Sequence, residues 1–250
     1  MSTYALQSCK LVKTFGGFVA TGGVSLNIAH GARHALIGPN GAGKTTLINL
    51  LTGYLAPTSG SIMLGGYDIS DLQQHQRVRR GLARTFQINQ LFAGMSVLGA
   101  VTMAVSERMG LGGKWWRPAG SHAAAIDEAA ELLRELHLLA DAENIIGDLA
   151  YGRQRLVEIA LALAMRPKVL LLDEPAAGVP TGESRELFET IARLPREVTI
   201  VLIEHDMDLV FRFADRISVL VGGKVLAEGA PGQIAADPLV KSVYLGESHD

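Results

Sequence analysis

Short runs of β-branched and aliphatic residues alternate along most of the chain with longer stretches that have helical periodicity. The apolar runs predict strands at Ala5–Val12, Ser25–Ile28, Arg33–Ile37, Ser61–Leu64, Val169–Leu172, Thr199–Ile203, Ile217–Leu220 and Lys224–Glu228. The periodic stretches predict helices at Gly43–Thr52, His122–Leu139, Gln154–Met165, Glu183–Leu194 and Met207–Ala214. Some runs are almost continuously apolar, which is typical of central strands covered on both faces: Ala35–Ile37, Val169–Leu172 and Thr199–Ile203. The alternation therefore predicts an α/β fold with a mainly parallel sheet flanked by helices.

The stretch from Ile88 to Leu149 has a different pattern. It contains no convincing buried strand, and its main feature is a long amphipathic helix at Ala123–Leu139. We interpret this stretch as a helical insertion into the α/β core.

Composition narrows the class of protein. The chain has 250 residues, of which 48% are hydrophobic and 19% are charged, and a formal net charge of -2. This is ordinary for a globular protein, and no basic field exists to hold a nucleic acid. Cys9 is the only cysteine, so a disulfide within the chain and a CxxC metal site are excluded. The N-terminus does not resemble a secretory signal, and no apolar run approaches the roughly 20 residues that span a bilayer. A membrane role is therefore expected only through a partner.

A glycine-rich loop follows the apolar strand at His34–Ile37 and precedes a helix at Thr45–Leu51. Its residues match the phosphate-loop pattern GxxxxGK[ST]: Gly38, Pro39, Asn40, Gly41, Ala42, Gly43, Lys44 and Thr45, with Thr46 next in the chain. Loop amides and the positive end of the helix favour binding of phosphate, Lys44 is suited to the β and γ phosphates, and Thr45 is suited to Mg²⁺. The loop alone indicates a nucleoside triphosphate site, and kinases, GTPases and ATPases share it.

Polar residues follow two further apolar strands. Asp173 and Glu174 come directly after Val169–Leu172, and His205 follows Thr199–Ile203. Strand ends face the ligand crevice in open α/β sheets, so Asp173 is a candidate for holding Mg²⁺, directly or through water. Glu174 is a candidate base for an attacking water, and His205 is a candidate donor to the γ-phosphate. Solvated strand ends are the alternative interpretation.

Taken together, the motifs resemble the ATP-binding cassette ATPases over nearly the whole chain. The segments ALIGPNGAGKTTLINLLTGYLAPTSGSI, ARTFQ, YGRQRLVEIALAL, IEHDMDLVF and DPLVKSVYLGE are most similar to the branched-chain amino-acid importer subgroup. The resemblance implies a P-loop NTPase core with a mainly parallel central sheet, an antiparallel β subdomain and an inserted helical subdomain. It implies a single nucleotide-binding domain over residues 1–250, in which 1–87 and 156–250 form the catalytic core and 88–155 form the helical subdomain.

The resemblance also implies residue roles and partners. Phe15 would stack on adenine, unless it is an ordinary core residue, and Gln87 would sense Mg²⁺ and water. Ala150, Gly152 and Arg153 stand where the family carries its phosphate-binding signature, written LSGGQ or LSYGQ. The implied cofactors are ATP and Mg²⁺. The implied partners are a second cassette ATPase, identical or different, integral membrane permease subunits and, indirectly, an extracytoplasmic solute-binding protein, with no nucleic acid. The implied location is peripheral, on the cytoplasmic face of the inner membrane.

This chain departs from the family pattern at the surface that would complete a partner's site. Ala150 replaces the signature serine, Arg153 replaces its final glutamine, and Pro180 stands where relatives carry Asp or Asn. We hypothesise that the two sites of a heterodimer are unequal, and that the site completed by Ala150 is the slower one. The missing hydroxyl removes a hydrogen bond to an anion that is typically worth about 1.5–3 kcal/mol.

Other interpretations stay open at this point. A soluble cassette ATPase of translation or DNA repair usually has two cassettes or a coiled-coil insertion, and a non-hydrolysing regulator would not need Glu174 and His205. Amides, urea and aromatic acids are alternative substrates. A basic cluster before Gln87 is interpreted as a solvated helix face, with contact to a membrane partner or lipid as the alternative: Arg77, Arg79, Arg80 and Arg84. Trp115-Trp116 is a partner anchor or local packing, and a metal site at His30 and His34 is not expected.

Overall fold

A computed structural model describes residues 3–85, 93–111 and 123–245. The strands are β1 (Tyr4–Phe15), β2 (Phe18–Ala29), β3 (Arg33–Ile37), β4 (Ser59–Leu64), β5 (Tyr67–Asp68), β6 (Leu82–Arg84), β7 (Val169–Asp173), β8 (Thr199–Ile203), β9 (Arg216–Val221) and β10 (Lys224–Gly229). The helices are α1 (Lys44–Thr52), α2 (Gln74–Arg79), α3 (Val97–Arg108), α4 (Ala123–Glu135), α5 (Tyr151–Ala164), α6 (Thr181–Ala192), α7 (Met207–Phe213), α8 (Pro231–Ala236) and α9 (Pro238–Leu245).

The strands form two sheets. A six-stranded sheet has the order β10-β9-β3-β8-β7-β6, in which only the β9–β10 pair is antiparallel. A four-stranded antiparallel sheet has the order β2-β1-β4-β5. The predicted α/β class, with a mainly parallel central sheet and an antiparallel β part, is therefore confirmed.

The chain divides into two compact units. The first contains Met1–Arg84, Lys168–Glu174 and Pro195–Asp250, and it carries both sheets. The second contains Thr85–Pro167 and Pro175–Leu194, and its helices are α3 to α6. This second unit extends beyond the predicted helical subdomain at 88–155, because α5 and α6 pack together within it.

In the first unit, β3 is buried along its whole length, as its continuous apolar run predicts. Leu36 belongs to a core that also contains α1 residues and the apolar face of the antiparallel sheet. Ala35 and Ile37 point the opposite way, into a second core that contains residues of α7, α8 and α9. Side chains alternate between the two faces of a strand, so β3 is fixed from both sides.

Several elements differ from the predicted ones. The α3 helix was not predicted, although Ser96 caps it by accepting from the backbone N–H of Gly99 at 3.2 Å. The predicted helix to Leu139 ends at Glu135 instead. His137 has a left-handed φ of 56°, and the Leu138 N–H donates to the Leu133 carbonyl at 2.7 Å, which is the pattern of a helix C-terminal cap.

Candidate functional site

The predicted phosphate loop joins β3 to α1 in the first unit. Gly43 is the residue that caps α1, and it has a left-handed φ of 98°. The ammonium group of Lys44 donates to the carbonyls of Gly38 at 2.6 Å and Pro39 at 2.9 Å. The lysine is thus folded over its own loop, beside the N-terminal amides of α1, where an anion is favoured.

Two of the loop glycines are required by close backbone approaches. A Cβ on Gly38 would lie 2.1 Å from the carbonyl oxygen of Leu220, and one on Gly43 would lie 2.5 Å from that of Ala20. The loop is also held from outside, because the Gly223 N–H donates to the Ala42 carbonyl at 2.9 Å. The neighbouring strands therefore set the shape of the loop, and a side chain at either glycine would displace it.

Asp173 is the last residue of β7, and its carboxylate is held by a cation. The Nη2 of Arg84 donates to Oδ2 of Asp173 at 2.5 Å, and the Nη1 of Arg84 donates to Oδ1 of Asn49 at 2.8 Å. Sequence analysis placed Arg84 only in a basic cluster and did not predict this contact. The feature that could have indicated the contact is strand pairing: Arg84 ends β6, and β6 pairs with β7 in parallel register.

Glu174 is exposed and has an unusual backbone conformation. Its φ is 47°, in the left-handed region that non-glycine residues rarely adopt, and its N–H donates to the Ile203 carbonyl at 2.9 Å. Strain of this kind concentrates at functional sites. The strand β7 ends directly before this residue, at Asp173.

His205 follows β8 and has a 69% exposed side chain. Its backbone N–H donates to Oε2 of Glu204 at 3.1 Å, and the same oxygen lies 3.8 Å from its Nδ1. Glu204 is buried, and sequence reasoning did not single it out. Asp206 then caps α7 through the N–H groups of Asp208 and Leu209.

Phe15 lies at the end of β1, where it pairs with Phe18, and its side chain is 47% exposed. The ammonium of Lys13 lies 5.2 Å from the centre of its ring. The alternative that Phe15 is an ordinary core residue is therefore wrong. An exposed aromatic face beside a cation is suited to stacking on a heterocyclic base.

Magnesium fits the donor chemistry of this unit. The hydroxyl of Thr45 and the carboxylate of Asp173 are hard oxygen donors, and the guanidinium on Asp173 shows that this carboxylate accepts a cation. No cluster of three or more His, Cys, Asp or Glu suited to a metal occurs among the described residues. Mg²⁺ does not need one, since it commonly uses one or two protein oxygens together with phosphates and water. Gln87, the other predicted ligand, lies outside the described residues, as does Trp115-Trp116.

The signature segment lies in the second unit, where α5 begins at Tyr151, three residues before its predicted start. Ala150 is the N-cap and has no side-chain oxygen with which to cap the helix. The Gly152 N–H instead donates to Oε2 of Glu183, on α6, at 2.9 Å. A Cβ on Gly152 would lie 2.8 Å from that oxygen, so the two elements meet closely. Glu183 was not predicted as a site residue, and only its position in the first turn of α6 hints at it.

Arg153 makes contacts within its own unit. Its Nη1 donates to the His137 carbonyl at 2.6 Å, and other guanidinium nitrogens lie 3.7 Å from Asp141 and 3.8 Å from Glu186. An open pocket of about 220 Å³ lies beside it, lined by Ala150, Gly152, Arg153, Leu156, Glu183, Glu186 and Leu187. Pro180 is the N-cap of α6.

The basic cluster is not one surface. Arg77 is 1% exposed and donates to four backbone carbonyls, so the interpretation as a solvated face is wrong for this residue. Arg79 and Arg80 are exposed, whereas Arg84 is bound to Asp173.

His34, the buried member of the histidine pair, bonds through Nε2 to the Ser218 hydroxyl at 2.8 Å. Burial lowers the pKa of His34 to about 4, against a smaller opposing effect of Glu228. His30 is exposed. The pair is thus split between the core and the surface.

None of the helices in the described ranges has the length and apolar character that crossing a membrane requires.

Comparison with known proteins gives one consistent family. A family model described as "ABC transporter" matches residues 21–177, and one described as "Branched-chain amino acid ATP-binding cassette transporter" matches residues 224–250. The high-affinity branched-chain amino acid transport ATP-binding protein BraF of Pseudomonas aeruginosa is 42% identical over 255 residues, which cover 99% of this chain and 100% of the relative.

Two solved structures extend this similarity. The ADP conformation of an ATP-binding cassette of an ABC transporter has a TM-score of 0.84 and 30% identity, covering 98% of this chain and 100% of that one. A bacterial ABC transporter cassette solved as a dimer has a TM-score of 0.73 and 26% identity, covering 90% and 98%.

Proposed function

The chain belongs to the ABC transporter family, and we propose that it is the ATP-hydrolysing subunit of an importer for branched-chain amino acids or related small polar or organic solutes. The observation that carries this proposal is the phosphate loop between β3 and α1, in the same unit as Asp173 and the exposed, strained Glu174. The loop supplies the grip on a triphosphate, and Glu174 supplies a base.

Nucleotide binding is assigned to the first unit. The loop residues 38–46 enclose the phosphates, Lys44 turns from its loop carbonyls to the β and γ phosphates, and Phe15 stacks on adenine. Thr45 and Asp173 would hold Mg²⁺, which would neutralise charge that develops on the phosphates.

Hydrolysis requires a water in line with the γ-phosphate. Glu174 takes a proton from this water as its oxygen bonds to the γ-phosphorus, and the bond from that phosphorus to the bridging oxygen of ADP breaks. His205 donates a ring N–H to the γ-phosphate. The exposure of Glu174 and His205 leaves both side chains accessible to a bound nucleotide.

A second cassette subunit is proposed to complete each site. The N-terminus of α5, at Ala150 and Gly152, would face the γ-phosphate bound by the partner, and the dimeric cassette that this chain resembles supports such pairing. Arg153 belongs to this segment, although its present contacts are internal. The dimer would sit on permease subunits at the cytoplasmic face of the membrane, supplied by a solute-binding protein outside.

The choice of solute rests on similarity alone. The match of residues 224–250 to a branched-chain amino-acid transporter family and the identity to BraF support this class of solute. Permease genes beside this one, and copurification with their products, would test the assignment. Copurification with a permease specific for another solute would replace it.

The ATPase is tested with two substitutions in the purified full-length chain. Lys44→Ala is expected to abolish retention of Mg-ATP, because the loop loses its cation. Glu174→Gln is expected to retain nucleotide but to release phosphate at least about 100-fold more slowly, because the general base is lost. Glu197→Gln, at an exposed position in the same unit, is the matched control. Equal phosphate release by wild type and Glu174→Gln would reject Glu174 as the base.

A further inference from the structure

Arg84 connects the end of β7 to α1 through a single guanidinium. One arm donates to Asp173 at 2.5 Å, and the other donates to Asn49 at 2.8 Å. The side chains of Arg84 and Asp173 are only 17% and 23% exposed, so solvent screens this pair less than a surface pair. A planar guanidinium with two fixed partners has a defined position.

That position is next to the Asp173 carboxylate and on the side of α1 that carries Thr45. Asn49 is four residues after Thr45 on α1, so both lie on the same face of the helix, one turn apart. The guanidinium therefore lies between this face of α1 and the carboxylate of Asp173. Its charge offsets the carboxylate charge that a divalent cation would otherwise meet.

We propose that Arg84 is a positioning residue that holds Asp173 and, by neutralising it, prevents Mg²⁺ from binding at Asp173 until a nucleotide arrives. This rests on the proposed function, because it deepens the role of the same metal site. Before the triphosphate binds, Asp173 and Arg84 together carry no net charge, so the attraction for a dication is small. The phosphates then add the negative charge, and the metal enters with them.

The test measures metal binding without nucleotide. Mn²⁺, a paramagnetic substitute for Mg²⁺, is titrated into the full-length chain and followed by electron paramagnetic resonance. Arg84→Gln is expected to bind Mn²⁺ at least about tenfold more tightly than wild type, because the dication no longer meets the positive charge of the guanidinium beside Asp173. Adding Asp173→Asn should remove the gain. Arg79→Gln, at an exposed arginine, is the control.

The conservative variant separates charge from simple structural support. Arg84→Lys keeps the cation but loses the planar guanidinium that bridges Asp173 and Asn49, so its Mn²⁺ affinity should stay near that of wild type. An Arg84→Gln affinity equal to wild type would overturn the proposal, and so would an Arg84→Lys affinity as high as that of Arg84→Gln.

A second measurement avoids Arg84 variants altogether. Mn²⁺ added to the wild-type chain without nucleotide should leave the NMR signals of Asp173 without selective paramagnetic broadening, because its carboxylate is already neutralised by Arg84. Selective broadening at Asp173 would overturn the proposal even if Arg84 variants do not fold. Lys44-dependent ATP binding is measured on the same preparations. If it persists, failure of the Mn²⁺ results rejects only the role of Arg84, whereas its absence in wild type rejects the proposed function.

Discussion

At the scale of single residues, Ala150 shows how one missing hydroxyl alters a helix end. Serine is a favoured N-cap because its oxygen accepts from the first-turn amides, and alanine offers none. In this chain one of those amides, that of Gly152, donates to Glu183 instead. The start of α5 therefore depends on a carboxylate from another helix.

Ala150→Ser is expected to stabilise the chain by about 1 kcal/mol, because the new hydroxyl caps α5. The same hydroxyl would add a hydrogen bond to a partner's γ-phosphate, so turnover by the assembled transporter should rise. Thermal unfolding measures the first effect, and phosphate release measures the second.

Ala150→Gly is the control for the effect on turnover, since glycine is tolerated at an N-cap but brings no hydroxyl that could bind the phosphate. Turnover that is unchanged in Ala150→Ser would show that the missing hydroxyl is immaterial to the partner's site.

Local sequence predicts some side chains of the site but not their distant partners. Lys44, Asp173 and Glu174 follow from strand ends and a glycine-rich loop, and the structure places them there. The contact of Arg84 with Asp173 joins residues 89 positions apart, and only the order of strands brings them together. Their pairing therefore could not be read from either segment alone.

At the scale of elements, Arg77 connects α2 to the end of α1. Its guanidinium donates to the carbonyls of Leu50 and Leu51 in the last turn of α1 and to those of Ser70 and Leu72 in the loop that precedes α2. The last carbonyls of a helix lack partners within it, and a cation there also complements the helix dipole. Arg77 thus completes the helix that begins at the phosphate loop.

Arg77→Met is expected to destabilise the chain by about 3 kcal/mol, because buried carbonyls lose their charged donor. Urea unfolding followed by circular dichroism measures this loss. Arg77→Lys should restore little of it, since an ammonium cannot reach carbonyls in the same two-armed geometry.

Arg79→Met, two residues away and exposed, should change stability by less than about 0.5 kcal/mol. Similar effects of the two methionine substitutions would contradict a capping role for Arg77.

The elements that the sequence predicts best are those with a strong and continuous pattern. The strands β3, β7 and β8 lie where uninterrupted apolar runs place them. The short elements α2 and β6 have too few residues for a periodicity to appear. The β1–β2 hairpin extends further than predicted, because the pairing continues to Phe15 and Phe18 although these residues are not buried.

At the scale of the whole molecule, hydrogen bonds link His34 on the inner strand β3, through Ser218 on β9, to Glu228 on the edge strand β10. The Ser218 hydroxyl donates to Glu228 at 3.1 Å, so Nε2 of His34 donates to Ser218 and Nδ1 carries no proton in the neutral ring. Nδ1 is buried and has no hydrogen-bond partner among the described residues. Burial, together with the charge of Arg216, lowers the pKa of His34 to about 4, and Glu228 only partly offsets this. The folded chain therefore resists protonation at this position.

Stability should fall on acidification because of this histidine. The pKa of His34 is about 4 when folded and 6.5 when unfolded, so the unfolded chain binds the extra proton between these values. Its contribution is complete above about pH 6.5 and is lost progressively down to about pH 4. The loss amounts to about 3 kcal/mol at about 1.4 kcal/mol per pKa unit.

The measurement is the free energy of unfolding by urea across this pH range. His34→Gln should flatten the dependence, whereas His30→Gln, at an exposed histidine, should leave it unchanged. A slope that survives in His34→Gln would assign the effect to other groups.

Sequence alone predicts the fold class of the molecule but not the division of the chain into two compact units. Alternating strands and helices indicate a parallel sheet, yet nothing local places β3 between β8 and β9. The second unit gathers 85–167 with 175–194, which are separated in the chain by β7. Such grouping depends on tertiary packing, which a linear pattern does not contain.

The side chains of β3 alternate between two cores, so the number of residues in this strand matters more for the fold than which apolar residues they are. Deleting one residue would exchange the side chains of Ala35, Leu36 and Ile37 between the α1 side and the α7 side. It would also carry Gly38 away from the Leu220 carbonyl that it approaches. We expect homologous chains to vary the apolar residues of this strand freely while preserving the number of residues between its first position and the loop.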